Sequence, residues 1–134
     1  VESLQPAEAD IYMPENSKED FLGNIEPYIG ENTVEVLDGD MFTFGKDQIS
    51  GVDLFFYDGP HDHATVSRAV QHFAPCLAPG AIIIFDDANW TDTLTGADEG
   101  LAKAGLEIAF SRKIINSIES YQEWWNGLYI VVTK

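Results

Sequence analysis

Cysteine is nearly missing from this chain. Cys76 is the one thiol among 134 residues, so no disulfide can form within it. That scarcity fits a reducing compartment, and a cytoplasmic location is expected. Cys76 lies in the apolar stretch Phe73-Ala74-Pro75-Cys76-Leu77, where a buried structural thiol is expected rather than a nucleophile. Positive charge is scarce as well: 7 basic residues stand against 23 acids, for a formal net charge of −16. Nucleic acids and anionic membranes would repel such a surface, so neither is expected as a partner. Most of the acids read as solubilising surface. No apolar run approaches the ~18 residues that a membrane-spanning helix needs, and the first residues show no signal-peptide pattern. No Gly-x-Gly turn occurs in the first 50 residues. The chain opens on Val1 rather than Met, which suggests a piece of a longer protein.

What is present is enough for one core. Hydrophobic residues make up 45% of the chain, and the length suits a single domain over residues 1–134. Residues 4–16 are polar and contain two prolines, which reads as a loop. Phe21, Leu22, Ile25 and Tyr28 recur at helical spacing after Ser17, with Gly30 as a stop. Thr33–Leu37 alternates and is rich in β-branched residues, which predicts a strand ending at Asp38-Gly39-Asp40. Met41–Ser50 reads as a short helix or loop. Strands are predicted over 52–57, 81–85, 106–110 and 128–133. Helices are predicted over 61–76, on the stripe Val66, Ala69, Val70, Phe73 and Leu77, and from Thr91 or Asp92 to Ala104. Asn126-Gly127 is a turn signal. This alternation predicts an α/β fold: a Rossmann-like, mostly parallel sheet with helices on both faces and an antiparallel C-terminal edge strand.

Three acids stand at strand ends. Val52–Tyr57 runs into Asp58-Gly59-Pro60-His61, and Ala81–Phe85 runs into Asp86-Asp87. One helix-length segment separates the two runs. Parallel neighbours joined in this way open at the same edge of a sheet, the edge where ligands bind. Carboxylates crowded there need a proton or a divalent cation between them, and oxygen-rich sets suit Mg²⁺, Ca²⁺ or Mn²⁺. Each acid also has a plain reading. Asp58 serves equally as a turn or cap residue, and Asp86 and Asp87 as solvated loop acids or caps of the next helix.

From about Asn16 onward the chain resembles the later part of a class I S-adenosylmethionine-dependent methyltransferase. It is most similar to the bacterial O-methyltransferase-like group whose fourth strand ends in Asp-Gly-x-His, here Asp58-Gly59-Pro60-His61. A Leu-x-Pro-Gly turn follows, here Leu77-Ala78-Pro79-Gly80 with Ala81 in place of a second glycine, and then an apolar strand with an acidic end. The resemblance implies a metal held by Asp58, Asp86 and Asp87, with Asn89 able to replace or orient Asp87. It implies His61 as general base beside Asp58. It implies cofactor contacts from Asp40 and Met41 near the adenine, from Glu2 on the ribose, and from Asp58. The family's first strand and glycine-rich turn have no counterpart here, and a sheet without them exposes apolar strand edges, so a homo-oligomer is expected.

The expected chemistry is methyl transfer from S-adenosylmethionine to a small-molecule hydroxyl. Mg²⁺ or another divalent cation would lower the acceptor's pKa, and His61 would take the proton. A non-catalytic Rossmann-like interaction domain that has lost its cofactor is the second reading. A metal-dependent hydrolase using the same carboxylates is the third. Trp90, Trp124 and Trp125 serve equally as pocket walls or as packing.

Overall fold

A computed structural model of the chain describes residues 17–30, 32–115 and 124–134. They divide into two compact units, one ending at Leu37 and the other beginning at Asp38. In the first, α1 runs from Ser17 to Ile29. Gly30, at φ +47°, ends it in the left-handed conformation that only glycine adopts without strain. The strand expected over Thr33–Leu37 does not form. Alternation marks a strand only where a neighbour can complete its hydrogen bonds. Among the described residues this segment has no sheet partner, and Val34 and Val36 stand exposed.

The second unit is a four-stranded sheet with two helices. A 3₁₀ turn over Met41–Thr43 precedes β1 (Val52–Tyr57), α2 (His63–Phe73) and β2 (Leu77–Phe85). Then come α3 (Thr91–Lys103), β3 (Ile108–Ile114) and β4 (Leu128–Thr133). The sheet order is β1-β2-β4-β3. β1 and β2 are parallel, with Phe55 facing Ile83 and Tyr57 facing Phe85. β4 is antiparallel to both its neighbours, so β1, β2 and β3 all point one way. The C-terminal strand is antiparallel as expected, but it lies inside the sheet and β3 takes the edge. Composition explains the exchange. β4 is Leu-Tyr-Ile-Val-Val-Thr and mostly buried, whereas β3 carries Ser111, Arg112 and Lys113, the charged type that suits an edge.

Tyr57, Ile83, Phe85, Tyr129 and Val131 pack with Val66, Ala69, Val70, Ala97 and Leu101 in one core. Both helices of this unit therefore cover the same sheet face. The second helical layer expected from the sequence is not found among the described residues of this unit. The alternate positions Leu54, Phe56 and Ile82 are apolar and exposed. The helices touch closely: a Cβ on Gly96 would stand 2.6 Å from the His63 carbonyl oxygen, and one on Gly100 2.8 Å from that of Ser67.

Candidate active site

The parallel pairing of β1 with β2 brings two strand ends together. Tyr57 and Phe85 are paired, and the Asp86 amide donates to the Tyr57 carbonyl at 3.0 Å. Asp58 and Asp86 thus follow side by side at the carboxyl edge. The turn after β1 folds over the Tyr57 ring, and a Cβ on Gly59 would meet that ring at 3.2 Å. The Tyr57 hydroxyl donates to the Pro60 carbonyl at 2.6 Å, which pins the turn. Burial, with the Asp62 carboxylate beside it, pushes the Tyr57 pKa up to about 12. Asp62 rather than Asp58 caps α2, accepting from the Thr65 amide at 2.9 Å. Hydrogen bonds from the Thr65 side chain and then its amide hold the Asp62 carboxyl below its ordinary range. Asp58 is thereby released from capping.

His61 sits one residue before this cap. Its Nε2 lies 2.7 Å from Asp87 Oδ2. The atom is shielded from solvent, and the carboxylate oxygen approaches it off the N–H axis. Such contacts commonly straighten only when a substrate is bound. The Trp90 ring meets the imidazole edge-on, with centroids 4.5 Å apart. Asp87 is 8% exposed, and an ionised carboxylate so buried needs partners. It has two: His61, and the Asn126 side-chain amide, which donates to Asp87 Oδ1.

Asp86 faces elsewhere. Its Oδ1 accepts from the Asp87 amide at 2.8 Å and from Trp124 Nε1 at 2.9 Å. The carboxylates expected to share a metal therefore part company. Among the described residues, the group whose ligand atoms lie within 4.8 Å of one another is Asp58, His61 and Asp87. Metal–oxygen bonds of about 2.0–2.6 Å would let these three meet one cation. Asn89 is drawn under the neighbouring turn: its amide donates to the Asn126 carbonyl at 2.9 Å, and its Oδ1 would stand 2.5 Å from a Cβ on Gly127.

The remaining expected contacts lie elsewhere. Asp40 caps the 3₁₀ turn, its Oδ1 accepting from the Phe42 amide at 3.0 Å, and Met41 is half-buried against the core. Arg68 stands 3.8 Å over the Phe42 ring, and a His72 ring nitrogen meets the Phe44 carbonyl, which ties this strap to α2. Glu2 lies outside the described residues. Asn126 is the site residue that sequence reasoning missed, and Trp124, read there as a pocket wall or packing residue, is a donor to Asp86. The only signal was Asn126-Gly127, which announces a turn but not what its side chain grips.

Comparison with known proteins agrees with this architecture. No curated protein matches the chain. Among solved structures, SMU.776, described as a methyltransferase candidate and crystallised with SAH, superposes with a TM-score of 0.55 at 15% identity over 90% of this chain. Precorrin-6y C5,15-methyltransferase from Geobacter metallireducens GS-15 gives 0.53 at 21% identity, also over 90%. At these identities the likeness is one of fold. The match spans 37% and 63% of those two chains. Residues 4–88 match the family described as methyltransferase domain, and a match over more than half its length makes this chain a member of that methyltransferase family.

Proposed function

We propose that the protein transfers a methyl group from S-adenosylmethionine to the hydroxyl of a small molecule, with His61 as general base. The observation that carries this reading is the 2.7 Å pairing of His61 with buried Asp87 at the edge where β1 and β2 end. Family membership and fold support the methyl donor. When bound, the donor supplies an electrophilic methyl carbon. Asp87 keeps the proton on Nε2 of the neutral ring and leaves Nδ1 with its lone pair. Nδ1 would take the acceptor's proton while the methyl carbon's bond to the donor sulfur breaks as its bond to the acceptor oxygen forms, the sulfur leaving as a neutral thioether, and Asp87 would stabilise the resulting imidazolium. Half-exposed Trp90 holds the ring edge-on and limits its rotation. The whole chain is read as one methyltransferase-like unit of a cytoplasmic enzyme that self-associates.

The test uses the full-length protein, methyl-tritiated donor and a panel of small phenols and vicinal diols. His61→Gln is expected to lower kcat about 10²–10⁴-fold with donor affinity by calorimetry unchanged. Unchanged turnover in that variant would sink the base. Absent donor binding in the unaltered full-length protein would favour the non-catalytic reading instead.

A metal-assisted form of the reaction would rest on Asp58, His61 and Asp87 rather than on Asp86. With a nitrogen ligand, that set suits Mn²⁺ or Zn²⁺ better than Mg²⁺. Isothermal titration with Mn²⁺ decides it: binding that Asp58→Asn abolishes supports the site, and no heat refutes it.

A further inference from the structure

Two non-glycine residues among those described adopt positive φ: Asp87 at 53° and Asn126 at 61°. They lie 39 residues apart in the chain, and their side chains are bonded to each other. We propose that Asn126 is a positioning residue that fixes the Asp87 carboxylate, and through it the tautomer and rotamer of His61. The proposal rests on the reading of His61 as base. The connection before β4 is tied to the turn after β2 by its backbone as well. The Ala88 amide donates to the Gly127 carbonyl at 3.3 Å and the Asn89 amide to the Asn126 carbonyl at 2.9 Å. Gly127 cannot carry a side chain there, since a Cβ would stand 2.6 Å from the Ile114 carbonyl oxygen. The backbone and the Trp124–Asp86 bond thus join the two turns, and the Asn126 side chain adds a grip on Asp87.

The backbone at position 126 is one that glycine adopts without the penalty an L side chain meets. Asparagine tolerates that backbone better than other side chains do, and here its amide does more than turn the chain. Its Nδ2–H is a donor, aimed at a buried acid whose ion-pair partner among the described residues is His61. With Oδ1 held by Asn126, Oδ2 is left for His61 Nε2. A carboxylate fixed in this way favours the ring proton on Nε2 by its charge, 2.7 Å away, before any aligned hydrogen bond forms.

The experiment reads the ring directly and needs no acceptor. In the ¹⁵N-labelled full-length protein, with chelator present and at a pH where the ring is neutral, long-range proton–nitrogen spectra report the tautomer of each histidine. The His61 signals are assigned by their loss in His61→Gln. The native protein is expected to show two widely separated His61 nitrogen resonances, with the proton on Nε2. Asn126→Gly suits the local backbone, so its melting temperature is expected to equal or exceed the native value, while the two resonances draw together as the tautomers mix. Asn126→Asp, which keeps the shape and removes the donor, is expected to do the same. His61 resonances unmoved in both folded variants would overturn the clamp. That outcome is distinct from failure of the base reading, which appears as retained methyl transfer in His61→Gln.

Discussion

Asp62 shows how one carboxylate settles the role of another. Because Asp62 caps α2, Asp58 is spared for the rim, and the cap can be tested alone. Asp62→Ala is expected to cost about 1 kcal/mol of unfolding free energy, read as a lower urea midpoint at neutral pH. Since the folded-state pKa of Asp62 is depressed, its contribution is present above the ordinary aspartate pKa and is lost as pH falls through the folded value. The alkaline limit belongs to the tyrosines. Burial, its largest cause in both, raises Tyr57 and Tyr129 to about 12. Below an ordinary tyrosine pKa of ~10 their contribution is whole. Between that value and the folded one the unfolded chain ionises first, so stability falls as pH rises. Urea midpoints measured from pH 9 upward are expected to decline, and the decline should be shallower in Tyr57→Phe. At this scale Asp58, His61 and Asp87 were legible, because strand ends and a motif point at them. The turning of Asp86 to Trp124 was not, since the donor lies 38 residues away.

At the scale of elements, the strands β1 and β4 coincide with the apolar runs 52–57 and 128–133, and α3 starts at Thr91. Pro79 and Gly80 concealed the start of β2: Gly80 takes φ +77° and lets the strand begin at Leu77. Gly96 and Gly100 carry the helix–helix contact, which hydrophobic periodicity does not announce. Their missing side chains let α2 and α3 approach backbone to side chain. Gly96→Ala and Gly100→Ala each force backbone atoms apart and are expected to cost about 1–3 kcal/mol, against the slight gain alanine brings to an isolated helix. Thermal unfolding followed by circular dichroism separates the two: a higher melting temperature in either variant contradicts the close packing.

Over the whole molecule, charge works against compactness. With a formal net charge of −16, repulsion among surface acids is expected to weaken the fold at low salt, and screening to relieve it. The melting temperature should therefore rise between about 10 mM and 0.1 M sodium chloride, where the Debye length falls from roughly 30 to 10 Å. A flat response would mean that the acids are already balanced locally, as Asp98 is by Lys113 at 2.8 Å and Glu99 by Lys103 at 2.7 Å. The amino-acid order by itself determined the fold class and pointed to a candidate site at the carboxyl edge, because hydrophobic periodicity and strand-end acids are local signals. Tertiary structure alone decided that β4 enters between β2 and β3, that Thr33–Leu37 has no sheet partner among the described residues, and that Asp87 is gripped by Asn126 while Asp86 turns away. Each of those outcomes depends on which hydrogen-bond partner a distant segment brings, and no local pattern records that.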